Sequence, residues 1–400
     1  MKTTTNRFNK KPLENLDNKP SEELIKIPKD VLSSWFKTLK SNSKKPRFIT
    51  KDDSDKAYLD SLIDQERRNV SQLWEAFTIE RGNLPRYLQD PKKQTAAYLI
   101  GFHLPNVARA VLTLLRADRR IHFSSLMRKN YKEATIVDLG CGTGALTQAW
   151  LQFIPQNFKI NVSLVDTQGA FLDAAKSNVQ HQRPEADVRS AKMPIEVFFD
   201  KVNFKDSDGL LVISMGYVWN EIQKNPKART KALKWIESHM HLPMVFHIHE
   251  PANQLIARDA MEMRNFLCEI GFNPIYPCIS NAPCPLLERS KDWCYTEGKF
   301  QSPQWMRKLD KYIGIDRQDI KTTAFMFVTK PVHDLIHQKK AALGLVVGRP
   351  AVKAHKKVPK NKLDYYHLLC TGSSLEKGAI IKNPSQKILR GKTVLLNERS

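Results

Sequence analysis

The stretch Ala134-Thr-Ile-Val-Asp-Leu-Gly-Cys-Gly-Thr-Gly-Ala-Leu146 limits what this chain can fold into more than any other. Thr135 to Leu139 are β-branched or apolar apart from Asp138, as in a parallel strand buried on both faces. Gly140, Gly142 and Gly144 then predict a tight turn into a helix near Leu146. With no Cβ in the way, backbone N–H groups in such a turn can approach a ligand closely. A second strand, Asn161-Val-Ser-Leu-Val-Asp166, follows one helix later and ends in an acid 22 residues beyond Gly144. A carboxylate at that position can accept hydrogen bonds from a ribose diol.

Two details favour S-adenosylmethionine over a nicotinamide dinucleotide. The spacing is Gly-x-Gly-x-Gly, and Asp138 precedes the first glycine by two. The block resembles the first motif of class I methyltransferases. That resemblance implies a donor over Gly140, Gly142 and Gly144, with Asp138 and Asp166 as the acids of the site. A purely structural glycine turn, or an inherited fold used without ligand, are the alternatives. Further strands are expected at Ala186–Arg189, Gly209–Ser214, Met244–His249 and Thr323–Thr329, with helices at Ala170–Val179, Ala228–Met240 and Leu255–Ile270. This alternation predicts an α/β fold, a Rossmann-like doubly wound sheet with its ligand at the strand C-termini. By the same resemblance the last strand runs antiparallel.

Around this core, residues 131–335, three further regions are expected. Residues 1–55 are rich in Lys, Asn, Ser and Pro and read as a flexible arm, RNA-contacting or passive, with one amphipathic piece at Val31–Leu39. Residues 56–130 have helical apolar spacing (Tyr58, Leu59, Leu62, Ile63; Val70, Leu73, Trp74, Phe77) and predict a cap beside the glycine loop. Arg109, Arg116, Arg119 and Arg120 there suggest a basic or simply solvated face. Residues 336–400 read as a β-rich extension, where Arg349, Lys353, Lys356, Lys357, Lys360 and Lys362 fall in an acid-free run. The net charge of +23 favours polyanions, nucleic acid first. No apolar run of a membrane span's length and no secretory or mitochondrial leader stands out, so a membrane partner is not expected.

After the fourth strand comes Ser214-Met-Gly-Tyr-Val-Trp-Asn-Glu221, at the edge that faces the methyl group in this fold. Amino-group methyltransferases carry an Asn/Asp-Pro-Pro-aromatic run here, and cytosine-C5 enzymes a cysteine nucleophile; this chain has neither. Tyr217, Asn220 and Glu221 are the remaining catalytic candidates, with loop and helix-start roles as their bland alternative. His247, His249 and Glu250, ending the fifth strand, suit a pocket rim or the core.

Cys278, Cys284 and Cys294 lie in a proline-studded segment, residues 277–300, and Cys370 follows in His367-Leu-Leu-Cys-Thr-Gly. Thiolates gathered in a reducing compartment hold zinc or an iron–sulfur cluster. Their spacing is not that of a zinc ribbon, and iron–sulfur, zinc and free thiols all stay open. Cys141 and Cys268 read as packed thiols. Taken with Val137–Gly144, Gly216–Glu221 and Val347-Gly-Arg-Pro350, these cysteines resemble the methyltransferase-like assembly factors of the small ribosomal subunit, known from mitochondria and with bacterial relatives. The resemblance implies a [4Fe–4S] cluster on Cys278, Cys284, Cys294 and Cys370, and docking on small-subunit ribosomal RNA in a pre-ribosomal particle. A monomer is expected, in bacterial cytoplasm or, alternatively, the mitochondrial matrix. Two departures concern the pocket: Tyr295-Thr296 replaces the usual His-Phe, and Glu250-Pro251-Ala252 the usual Glu-Pro-Gly.

Overall fold

The computed structural model describes residues 14–15, 24–46, 54–78, 91–204, 209–336, 343–347, 351–352, 365–372, 374–381, 390 and 393–395. The runs expected as strands are β1 (Glu133–Leu139), β2 (Lys159–Asp166), β3 (Asp187–Lys192), β4 (Leu210–Gly216), β5 (Met244–Glu250) and β6 (Asp319–Val328). Their order across the sheet is β3-β2-β1-β4-β5-β6. The first five run parallel, and β6 is antiparallel to β5. This is the doubly wound class I methyltransferase arrangement, reversed last strand included. The order switches direction between β1 and β4, which is where a ligand crevice opens in such sheets.

Three short strands lengthen the sheet past the sequence reading. Thr296–Phe300 pairs with the first half of β6, Leu24–Ile25 pairs parallel to it, and Asn273–Tyr276 pairs with the second half. Each strand sends alternate side chains to opposite faces. Ile136, Val162, Val212 and Val245 enter one core with the cap helices. Val137, Val165, Ile213 and Phe246 enter a second core, under the helices of residues 219–269.

The cap comprises α1 (Lys29–Asn42), α2 (Asp55–Thr78), α3 (Pro91–Tyr98) and α4 (Leu104–Ile121). Here the reading of residues 1–55 as a flexible arm is corrected for α1. Val31, Trp35 and Leu39 recur every four residues, are all but fully buried, and join the first core. Trp35 stacks on Trp305 with centroids 5.3 Å apart and donates its indole N–H to the Leu99 carbonyl at 2.9 Å. This is the amphipathic piece noted at Val31–Leu39, and it packs as an integral helix of the cap. A second correction concerns apolar length. The helical run Gln94–Ile121 is apolar enough to cross a membrane, with mean hydropathy 1.3, yet 78% of that window is buried in the protein.

A separate six-stranded sheet among the described residues contains Leu343–Val346, Tyr365–Cys370, Leu375–Ile381 and Thr393–Leu395, in line with the expected β-rich extension. The lysines and arginine of residues 349–362 singled out above lie outside the described residues, as do residues 1–13.

Replacing Trp35 with Ala removes a stacked, hydrogen-bonded core side chain. Urea unfolding should register a loss of about 3–5 kcal/mol. A loss below about 1 kcal/mol is the surface-residue result and would detach α1 from the core.

Candidate functional site

The glycine loop is carried over from β1 to β2 by its own backbone. Gly140 and Cys141 both donate to the Val165 carbonyl, at 2.8 and 3.0 Å. Gly140 has φ +69°, and a Cβ there would come within 2.5 Å of a Val218 methyl, so only glycine fits. Asp166 closes the loop: its carboxylate accepts from Gly142 N–H and from Gln168 N–H, each at 2.8 Å. A carboxylate has about four acceptor sites, so Asp166 keeps capacity for a diol. Asp138 is different. It is buried and accepts from the Thr147 hydroxyl at 2.7 Å, the Thr147 N–H at 3.3 Å and the Ser214 hydroxyl at 2.9 Å. Burial pushes its carboxyl up to about 6 against those hydrogen bonds. It therefore acts as a strut joining β1, β4 and the helix Ala145–Leu151, not as an open ligand contact.

The cap supplies two residues that the sequence reading passed over. A π-helical turn, Leu99–His103, separates α3 from α4; such turns recur at functional sites. It places the buried His103 between the Thr143 hydroxyl at 2.8 Å and the Gln148 amide oxygen at 2.7 Å. Burial lowers His103 to about 4, so the imidazole is neutral. Tyr98, just before the turn, packs on Phe171 with centroids 4.8 Å apart, its hydroxyl beside Gly142. In the sequence both look like members of an apolar helical stripe, and only contact with the loop distinguishes them.

On the β4–β5 side the candidate residues separate. Tyr217 takes φ +64°, donates its N–H to the His249 carbonyl at 2.7 Å, and turns its ring inward against His249. Asn220 is committed to structure: its amide donates to Glu250 at 2.8 Å and to the Tyr217 carbonyl at 3.0 Å. Glu221 is exposed. His247, His249 and Glu250 are fully buried, so they lie beneath the surface and not on a rim. Burial raises Glu250 to about 7, opposed by its bonds from Asn220.

The four cysteines expected to act together influence one another electrostatically. Burial, and after it Cys278, pushes Cys284 up to about 12; the same two influences raise Cys294 and Cys370. Gly372, two residues past Cys370, is so close to the loop that a Cβ would meet the Ser280 hydroxyl at 2.6 Å. Among the described residues no three His, Cys, Asp or Glu side chains converge tightly enough to hold a metal ion. Cys268 and Cys141 are packed thiols, as expected.

Arginines hold this loop. Arg258 donates to the carbonyls of Leu287, Arg289 and Asp292, each at 2.9 Å. Arg264 donates to the carbonyls of Ser280 and Ala282 and to Cys278 Sγ at 3.3 Å. From the cap, Arg120 donates to the Cys278 carbonyl at 2.7 Å and Arg116 to the Glu297 carbonyl at 2.7 Å. The basic face suggested for α4 is thus corrected: Arg116 is buried, Arg109 and Arg120 are half-buried, and Arg119 is the exposed one.

With this geometry in place, relatives can be compared. The family model described as mitochondrial small ribosomal subunit Rsm22 matches residues 113–358, more than half of the chain. The chain belongs to the Rsm22 family. It is a methyltransferase-like factor of the small ribosomal subunit. Among curated proteins nothing matches. Solved structures that resemble it include a protein of Listeria monocytogenes described as a class I S-adenosylmethionine-dependent methyltransferase. It is 13% identical with a TM-score of 0.35, over 76% of this chain and 88% of that one. Another is the precorrin-6y C5,15-methyltransferase of Geobacter metallireducens, at 11% identity and TM-score 0.31, over 53% and 88%. A third is an O-methyltransferase of Thermotoga maritima, at 13% identity and TM-score 0.27, over 55% and 65%. Likeness this slight adds nothing to what the strand order already gives.

Two measurements check the site. Arg258→Met strips the loop carbonyls of their donor and should cost about 1–3 kcal/mol in urea unfolding while raising thiol reactivity toward a disulfide reagent; unchanged thiol reactivity would contradict the loop-holding role. For Glu250, a folded-state value near 7 against about 4.3 unfolded means the folded chain binds the proton more tightly. Its contribution is complete below about pH 4 and is lost as the pH rises through 7. Relative to Glu250→Gln, the natural chain should lose at most about 4 kcal/mol over that window. A flat difference would contradict the burial argument.

Proposed function

We propose that this Rsm22-family chain is an S-adenosylmethionine-dependent methyltransferase of small-subunit ribosomal RNA, acting on an immature particle during assembly. The observation that supports it best is the meeting of the glycine loop, Asp166 and the Tyr217 turn at one sheet edge beneath the cap. The donor would lie over Gly140, Gly142 and Gly144 with its ribose at Asp166; Asp138 would brace the loop from behind. Methyl transfer needs little acid–base help when the acceptor is held in line with the sulfonium, so positioning carries most of the rate. The charge of +23 supports a polyanionic partner. The family's description supports the mitochondrial matrix over a bacterial cytoplasm, and the chain would act as a monomer.

Cys278, Cys284, Cys294 and Cys370 would hold a [4Fe–4S] cluster. A single zinc at about 2.3 Å from each sulfur draws its thiolates to within about 4 Å of one another. The cluster's contribution would be structural: it would pin the C-terminal sheet to the core.

A second reading, a non-catalytic iron–sulfur assembly factor, draws support from Asn220, which is committed to Glu250, and from the exposure of Glu221. One experiment separates the two. Immature small-subunit particles are incubated with the anaerobically purified full chain and methyl-labelled S-adenosylmethionine. Label in RNA, suppressed by S-adenosylhomocysteine, is the expected result; assembly without label supports the second reading. Iron and acid-labile sulfide that vanish with Cys370→Ser are expected in the same preparation, and zinc in their place would overturn the cluster.

A further inference from the structure

At the open edge of the sheet, Gly216 on β4 and His249 on β5 are neighbours in register. Past Gly216 the chain turns through Tyr217 in the left-handed region, φ +64°, which a bulky side chain rarely adopts. That turn folds the phenol back over His249, rings 5.4 Å apart. Three polar atoms crowd this spot buried and without a hydrogen-bond partner: Tyr217 Oη, His249 Nδ1 and His247 Nε2. A buried polar atom without a partner is costly, and three neighbouring ones mark a spot where a polar ligand would be welcome.

The neighbours fix what each orphan offers. The Thr322 hydroxyl lies 3.1 Å from the Glu250 carbonyl, which can only accept, so its proton points there. Thr322 Oγ1 then accepts from His249 Nε2–H at 2.7 Å, which leaves Nδ1 with a free lone pair. Trp150 Nε1 can only donate, and it does so to His247 Nδ1 at 3.2 Å, which leaves Nε2–H as a donor. Arg109 of α4 faces both His249 and Tyr217. Burial raises the Tyr217 phenol and the nearby Arg109 opposes that rise, without a well-formed hydrogen bond between them. The spot therefore presents one acceptor among several donors. Its position is also defined: the Tyr98 hydroxyl, beside Gly142, feels both Asp166 and Tyr217. Past the glycine loop, Tyr217 and His249 come next.

We propose that Tyr217, His249 and Arg109 form the acceptor pocket for an unstacked nucleobase, read along an edge that carries an N–H beside a carbonyl. This rests on the reading that a methyl donor occupies the glycine loop. The base N–H donates to His249 Nδ1. The carbonyl, with two lone pairs, accepts from both Tyr217 and Arg109. Guanine and uracil have such an edge; in cytosine the ring nitrogen beside the carbonyl carries a lone pair and no hydrogen. Adenine has no carbonyl, and its ring nitrogen offers a single lone pair.

The test uses the full chain with S-adenosylhomocysteine present, and cytidine, guanosine, uridine and adenosine as probes in saturation-transfer and titration measurements. Guanosine or uridine should bind, about tenfold or more tightly than adenosine or cytidine. In nitrogen-15 histidine spectra that nucleoside should shift the His249 Nδ1 resonance, a readout that needs no variant. Tyr217→Phe removes a hydroxyl without an internal partner, so thermal unfolding should stay level or improve while nucleoside affinity falls about tenfold. No nucleoside binding alongside normal donor binding would overturn the pocket and leave the donor reading intact. Equal binding of adenosine would overturn the edge assignment. Loss of donor affinity in Tyr217→Phe would assign these groups to the donor's amino-acid end and overturn the proposal. Nucleoside binding without donor binding would instead refute the donor reading. An unmoved His249 resonance would mean the orphans merely hold a buried water.

Discussion

Hydrogen bonds at the two ends of α4 decide where both candidate centres sit. At its start, the π-helical turn delivers His103 into the glycine loop through Thr143 and Gln148. At its end, Arg116 and Arg120 reach the carbonyls of Glu297, Pro277 and Cys278. Eighteen helical residues span about 27 Å, so one rigid rod joins the loop that would cradle the donor to the loop that carries three cysteines. Its side chains are buried along most of its length, and a close-packed interior does not let such a rod slide on its own. The cap is thus part of the site's frame, not a cover laid over it.

The same logic explains where part of the positive charge goes. Between Tyr276 and Thr296 the chain has neither helix nor strand, and a buried backbone without a ladder must find donors for its carbonyls elsewhere. Arg258, Met261, Arg264 and Asn265 lie three, three and one apart, so the helix Gln254–Glu269 presents them on one face. From that face come donors to the loop carbonyls, an acceptor for Cys284 N–H at 2.9 Å and a sulfur for Cys294 N–H at 3.3 Å. Arginine suits this work because its planar fork satisfies several carbonyls at once. A share of the basic residues that suggest a polyanion partner in composition is therefore internal scaffolding.

The parts legible in the sequence were those fixed by local rules. The strand with its glycine turn, the acid ending β2 and the reversed last strand follow from periodicity and from family resemblance, and the strands matched to within a few residues at their ends. The parts not legible depend on partners distant in the chain. Leu24–Ile25 and Thr296–Phe300 are too short to show a period; the second exists because β6 offers it an edge, and the first because the second does. Arg116 and Arg120 look like any solvated helical arginines until the cysteine segment folds beneath them. Tyr217 stands among the catalytic candidates by its place after the fourth strand, but its left-handed backbone and stranded hydroxyl show only in the structure.

What the account asserts above all is that the glycine loop, held shut by Asp166 on Gly142, seats a sulfonium donor. Calorimetric titration of S-adenosylmethionine into the full chain and into Asp166→Ala tests this directly. The account predicts one site per chain, weakened about tenfold or more by the substitution, since the variant loses both the ribose acceptor and the loop's closing hydrogen bond. No binding to the natural chain, or equal binding to both, would contradict it.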